Sequence, residues 1–222
     1  MTPSRNIWAI LPVKDSDRAK ERLASCFGPE FRRGLVQAMV EDVLSALAAA
    51  PGLAGIAVVT CDAWVAALAR VYGAAVFEDG ARDGYTGAVM AACRRLASEG
   101  KDGVLCVPAD IPGITALEVG RLLEFHRPGR AFTIVPAHDK RGSNAILMTP
   151  PDLMPLAYGA DSFVLHLANA RRIGIDPQVV ELPGIGLDID TPHDIDLLAR
   201  VPAATRTHRY IEHHGIPEHA DD

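Results

Sequence analysis

Four short, nearly uninterrupted apolar runs, at residues 7–13, 55–60, 74–78 and 103–107, are separated by stretches whose apolar residues recur every three or four positions. Continuous apolar runs suit strands of a parallel sheet, because such strands are covered on both faces. The intervening periodicity suits amphipathic helices. Val36, Met39, Val40, Val43 and Leu47 make one apolar face, and Val65, Leu68, Ala69 and Tyr72 another. Asp62 stands where the second of these helices begins and is expected as its N-cap. Strand–helix–strand units of this length require right-handed crossovers, so the expected fold is α/β: a doubly wound, mostly parallel central sheet flanked by helices. Ligands of such sheets lie beyond the carboxyl ends of the strands, where the strand order switches. The residues just after each strand therefore matter most.

Beyond residues 133–136 the rhythm changes. The polar loop His138-Asp139-Lys140-Arg141-Gly142 leads into a strand over 144–149, stopped by Pro150 and Pro151. A helix is expected over 162–173, strands over 179–182 and 186–189, and a short helix opened by Thr191-Pro192. The 222 residues suit one domain, placed at 1–202, followed by a polar, histidine-rich and flexible tail over 203–222. His213 and His214 are read as part of that solvated tail.

Composition excludes more than it selects. A net charge of −6 without a basic stripe argues against a nucleic-acid partner. No membrane segment is expected: the first apolar run is too short for a signal-peptide core, and Pro51-Gly52 divides the uncharged stretch 43–60. Cys26, Cys61, Cys93 and Cys106 fall in no paired ligand spacing, so they read as free thiols in a reducing compartment, which makes the expected location cytoplasmic.

Three carboxylates stand out by position. Asp110 follows a strand directly, in Pro108-Ala109-Asp110-Ile111-Pro112, and Asp188 and Asp190 flank Ile189 at the end of the last expected strand. An i, i+2 pair on a strand shares a face, and two like charges there are costly without a cation between them. A hard divalent ion, magnesium or manganese, held by oxygen ligands would serve. Taken singly, Asp110 also fits a turn and Asp190 a helix cap. Opposite them, Leu11-Pro12-Val13-Lys14 ends the first strand, and Lys20 and Arg22 follow; with Lys14 they can converge on a polyphosphate. There is no Gly-Lys-Ser/Thr loop and no Gly-x-Gly-x-x-Gly after that strand, which disfavours a P-loop and a dinucleotide cofactor. No nucleophile elbow is present, and His166 is expected as a packed helix histidine. Phosphate chemistry fits this lack of a general base, because a phosphate nucleophile is already ionised near neutral pH, its second pKa being about 6.

These motifs resemble the 2-phospho-L-lactate guanylyltransferase family. The resemblance runs through Leu11-Pro12-Val13-Lys14 with Ala19-Lys20-x-Arg22-Leu23, Pro108-Ala109-Asp110-Ile111-Pro112, Gly142-Ser143-Asn144, Tyr158-Gly159-x-Asp161-Ser162-Phe163 with His166, and Leu187-Asp188-Ile189-Asp190-Thr191-Pro192. It implies a single-domain Rossmann-like nucleotidyltransferase fold. It also implies transfer of GMP from GTP to 2-phospho-L-lactate, phosphoenolpyruvate or 3-phospho-D-glycerate, with release of pyrophosphate, in coenzyme F-420 biosynthesis. Carried to matching positions, Asp110, Asp188 and Asp190 would hold the metal, and Ser143, Gly159 and Ser162 the phospho-acid, partly through backbone N–H groups. Lys14, Lys20 and Arg22 would act on the GTP phosphates as the catalytic cations. Pro12, Lys14, Lys20, Gly84, Thr86, Pro108 and Asp110 would line the nucleotide site. Lys140 and Arg141 either steer the acceptor or form an exposed basic loop.

Two positions depart from the family pattern. Gly84-Tyr85-Thr86 stands where Gly-Leu-Asn is expected, which bears on the guanine preference, and Ser143 stands where threonine is common. Two rival readings remain at this level: another nucleotidyltransferase or an Asp-x-Asp sugar-nucleotide glycosyltransferase, and a nucleotide-binding module without catalysis. A homodimer stays open, as does the choice among the three acids.

Overall fold

The computed structural model describes residues 6–14, 23–24, 27–198 and 205–215. The four apolar runs form β1 (Ile7–Pro12), β2 (Gly55–Val59), β3 (Ala75–Phe77) and β4 (Gly103–Cys106). Between and after them lie α1 (Pro29–Ala49), α2 (Ala63–Val71), α3 (Gly84–Ser98) and α4 (Ala116–Phe125). The second half adds β5 (Ala131–Pro136), β6 (Ser143–Thr149), α5 (Ser162–Arg172), β7 (Gln178–Val179), α6 (Pro183–Gly186), α7 (Pro192–Leu198) and α8 (Arg206–His214).

One seven-stranded sheet runs in the order β3-β2-β1-β4-β6-β5-β7. β1 pairs in parallel with β2 and β4, β2 with β3, and β5 with β7, while β6 runs antiparallel between β4 and β5. The chain leaves β1 first toward β2 and later returns to its other side as β4. The switch in strand order therefore falls between β1 and β4.

The continuous apolar runs are explained by helices on both faces. Ala9 and Leu11 of β1 enter a core with Leu35, Met39 and Val43 of α1, whereas Ile10 enters a second core with Val89 and Leu96 of α3. Each such fully buried Leu, Ile, Val or Met side chain contributes about 2 kcal/mol. Asp62 caps α2 as expected, its Oδ1 accepting from the Trp64 and Val65 amides at 2.8 and 3.1 Å. Among the described residues no helix is long and apolar enough to cross a membrane. Cys61, Cys93 and Cys106 are free thiols; Cys26 lies outside the described residues.

Two expectations need correction. The strand expected over 186–189 is absent from the sheet: Pro183 opens the single turn α6, and the chain then runs outside the sheet, with the Ile189 N–H bonded to the Asp110 carbonyl at 2.9 Å rather than to a strand. The tail expected to be flexible from 203 on instead contains α8, packed on α1. Its first turn is capped from a distance. The buried Asp42 carboxylate on α1 accepts from the Arg206 amide at 2.8 Å, the Thr207 amide at 2.9 Å and the Thr207 hydroxyl at 2.7 Å.

Candidate active site

The ends of β1 and β4 lie side by side at the switch point and deliver Pro12, Val13 and Lys14 from one strand and Pro108, Ala109 and Asp110 from the other. Backbone bonds hold them there: the Val107 amide donates to Ile10 at 3.1 Å and the Val13 amide to Val59 at 3.0 Å. A recess of about 240 Å³ is lined by Pro12, Lys14, Tyr85, Pro108 and Asp110. A wider opening of about 820 Å³ adjoins it at Val13 and Lys14 and includes Arg82 and Gly84. On the other side, a cleft of about 460 Å³ is lined by Tyr85, Pro108 and Asp110 again, now with Asp188, Asp190, Ser143 and Gly159. Tyr85, Pro108 and Asp110 thus form a wall shared by a recess with a lysine and a cleft with carboxylates.

The segment carrying Asp188 and Asp190 is anchored from three elements. Glu118, in the capping box of α4, accepts from the Gly184 amide at 2.8 Å. Gly113 and Gly184 approach so closely that a Cβ at 184 would strike the Gly113 backbone, which requires glycine there. The buried Asn144 of β6 donates through Nδ2 to the carbonyls of Ile185 (3.1 Å) and Gly186 (3.0 Å) and to Asp188 Oδ1 (3.0 Å). Asp110 completes the set through its carbonyl. At the start of α7, Asp194 Oδ2 accepts from the Asp190 and Thr191 amides and the Thr191 hydroxyl, at 3.0, 2.7 and 2.9 Å.

The three carboxylates feel one another. Burial, reinforced by the charges of Asp110 and Asp190, holds the Asp188 carboxyl above the usual carboxylate range, while the Asn144 hydrogen bond opposes the rise. Among the described residues no three His, Cys, Asp or Glu side chains are drawn together into a preformed metal cage. His138 lies at the edge of the group, with Nδ1 3.9 Å from Asp188 and Nε2 3.8 Å from Asp194.

Opposite the carboxylates lies the loop leading into α5. Gly159 adopts φ +152, a conformation that favours glycine, and Asp161 sits at φ +58 before the helix. Ser143 Oγ lies 2.9 Å from His166 Nδ1, and Ser162 Oγ donates to Ser143 Oγ at 3.2 Å. Ser143 and Gly159 line the cleft; Ser162 is 2% exposed and stands behind Ser143. The first two amides of α5 are already engaged, Ser162 to the Gly159 carbonyl and Phe163 to the Arg141 carbonyl. Ser162 and its amide therefore do not face the cleft directly, in contrast to the expectation from sequence.

The remaining expected residues divide. Lys14 is exposed at the mouth of the recess, and Gly84 lines the wider opening. The Thr86 hydroxyl accepts from the Tyr158 amide at 3.0 Å, tying α3 to the loop before α5. Arg141 lines the cleft paired with Asp161 at 2.9 Å, whereas Lys140 turns away to Glu181, also at 2.9 Å. Lys20 and Arg22 lie outside the described residues. Sequence reasoning assigned no role to Asn144, His138 or Glu118; only Asn144 carried a signal, through its place beside Ser143 in a recognisable motif.

Comparison with known proteins yields a consistent set of relatives. The family model described as "Guanylyl transferase CofC like" matches residues 7–220. A phosphoenolpyruvate guanylyltransferase of Conexibacter woesei is 37% identical over 200 residues, covering 90% of each chain. A 3-phospho-D-glycerate guanylyltransferase of Colwellia psychrerythraea is 35% identical over 190 residues, covering 86% of this chain and 90% of that one. In fold, the chain is similar to a putative nucleotide-diphospho-sugar transferase from Desulfovibrio desulfuricans G20, with a TM-score of 0.76 at 20% identity over 94% of this chain and 95% of that one.

Proposed function

Since the chain belongs to the CofC-like guanylyl transferase family and is a nucleotidyltransferase, we propose that it transfers GMP from GTP to phosphoenolpyruvate, 3-phospho-D-glycerate or 2-phospho-L-lactate in coenzyme F-420 biosynthesis. A phosphate oxygen of the acid attacks the α-phosphorus of GTP in line. The new Pα–O bond forms as the Pα–O bond to the β-phosphate breaks, and pyrophosphate leaves.

The observation that carries this reading is the wall shared by the two cavities. Asp110, Pro108 and Tyr85 face both the recess that holds Lys14 and the cleft that holds Asp188, Asp190 and Ser143. A nucleotide entering over Lys14 and an acid entering past Ser143 and Gly159 would meet there. Lys14, joined by Lys20 and Arg22, draws the triphosphate toward the end of β1. Pro12, Gly84 and Thr86 complete the nucleotide side. Ser143 and Gly159 orient the acid, with Ser162 supporting Ser143. No residue needs to remove a proton from the nucleophile, because a phosphate monoester is dianionic near neutral pH, with its second pKa at about 6. Rate then comes from alignment and charge compensation.

Asp110, Asp188 and Asp190 suit a hard divalent ion, magnesium or manganese. Burial raises the Asp188 carboxyl and the charges of Asp110 and Asp190 add to the rise; a cation would offset that added part. Magnesium commonly takes one or two carboxylates and fills its shell with water and substrate phosphate, so a loose carboxylate group fits it better than a closed cage. When bound, the ion would supply neutralisation of charge on the α-phosphate and the departing pyrophosphate. Cytoplasmic location fits the free thiols and these substrates.

The test crosses GTP, ATP, CTP and UTP with the three acids under magnesium or manganese, following pyrophosphate and trapping the product. GTP with at least one acid should give stoichiometric pyrophosphate and a GMP-bearing product. Uniform inactivity across the panel would refute the proposal.

A further inference from the structure

His166 is wholly buried, distant in role from the carboxylates, and bonded at both ring nitrogens. Its Nε2 lies 3.0 Å from the Ala157 backbone nitrogen and its Nδ1 2.9 Å from Ser143 Oγ. A backbone amide can only donate, so Nε2 must present a lone pair. The proton of a neutral imidazole is then confined to Nδ1, and Nδ1–H donates to Ser143. Ser162 donates to the same Ser143 oxygen at 3.2 Å. Both acceptor positions of Ser143 are thereby filled from behind, and its own O–H is left to donate into the cleft that Ser143 lines.

The opposite tautomer would reverse the pair. With Nδ1 as acceptor, the Ser143 proton would turn inward to His166 and the Ser162 proton to Ser143, leaving no hydroxyl proton for the cleft. An anion needs a donor there. We propose that His166 is a positioning residue that sets Ser143 as a hydrogen-bond donor to the phosphate or carboxylate of the acceptor acid. The inference rests on the acceptor-site reading above and adds the origin of its polarity. Burial also pushes the His166 pKa down to about 4, so the ring keeps this neutral form near pH 7. The Tyr158 ring, edge-on to the imidazole at 5.3 Å, closes its other side.

Steady-state kinetics of His166→Leu and His166→Asn test this, with the Asn amide able to donate to Ser143 and Leu unable. His166→Leu should raise the acceptor KM about tenfold with the GTP KM unchanged, as loss of a hydrogen bond to a charged group does. His166→Asn should recover most of that loss. In a Ser143→Ala background, His166→Leu should add less than twofold. On the wild-type protein, 15N NMR should show a protonated Nδ1 and an unprotonated Nε2 near neutral pH, which is readable even if a variant fails to fold. An acceptor KM within twofold of wild type in His166→Leu, an equal rise in the GTP KM, additive effects in the double variant, or the Nε2-protonated tautomer would each overturn the inference. Failure of the wild type to label any acid would instead count against the proposed reaction, and is read separately from the tautomer.

Discussion

The Ile189 amide donates to the Asp110 carbonyl at 2.9 Å, and this bond seats Asp188 and Asp190 beside the end of β4 without making them part of the sheet. The carboxylate group is thus assembled by loop anchoring, with Asn144 and Glu118 as the side chains that hold the segment. Its properties should depend on those anchors as well as on the acids themselves.

Neutralising Asp188 should separate metal response from folding. In Asp188→Asn the metal-free Tm should be unchanged or higher, because a buried carboxyl crowded by Asp110 and Asp190 is relieved. Magnesium or manganese should raise the wild-type Tm and leave the variant's Tm unmoved, since ligand at about 100 times Kd adds about 2.7 kcal/mol to a protein that binds it. Differential scanning fluorimetry across a metal titration reads both arms.

Replacing Asn144 should weaken catalysis through Asp188. Asn144→Ala removes the donor that orients Asp188 and ties down the carbonyls of Ile185 and Gly186. Loss of an orienting partner of this kind costs about 10–100-fold in metal affinity or activity. The metal concentration for half-maximal rate should rise, and saturating metal should restore part of the loss.

The α1–α8 contact should govern stability and leave the reaction alone. Asp42→Ala strands the Arg206 and Thr207 amides and the Thr207 hydroxyl, for a loss of about 2 kcal/mol. Gly34→Ala should destabilise by a separate route, because its Cβ would collide with the Tyr210 ring. Thermal melts should fall in both variants while kcat at low temperature stays near wild type.

Acid should destabilise the fold through His166. Its folded-state pKa of about 4 lies below the ordinary histidine value of 6.5, so the unfolded chain binds the proton more readily. Stability is then complete above pH 6.5, declines as the pH falls through that window, and loses roughly 3 kcal/mol from this group by pH 4. Urea melts between pH 4 and 7 should show a shallower decline in His166→Asn than in the wild type.

The sheet half of the fold was legible because doubly covered strands write continuous apolar runs, as β1 and β4 do. Residues 186–189 were misread for a different reason: Leu187 and Ile189 alternate with aspartates as a half-buried strand would, yet the Ile189 amide bonds to a loop carbonyl. Helix α8 escaped notice because its polar, histidine-rich sequence reads as a solvated tail: Thr205 caps it locally, but the contacts that dock it come from Asp42, 164 positions away from Arg206. Asp110, Asp188, Asp190, Ser143 and Gly159 were singled out from motif and placement, and they line one cleft. The inward turn of Ser162 was not foreseeable, since the direction of a hydroxyl depends on the packed His166 and Ser143 around it.

The central claim is that these carboxylates serve nucleotidyl transfer at the wall between recess and cleft. Pyrophosphate release from GTP and phospho-acid, compared between wild type and an Asp188→Ala, Asp190→Ala double variant of equal thermal stability, tests it most directly. The account predicts a loss of at least about a hundredfold, the scale of removing one electrostatic stabiliser of the transition state. Undiminished release in the double variant would contradict it.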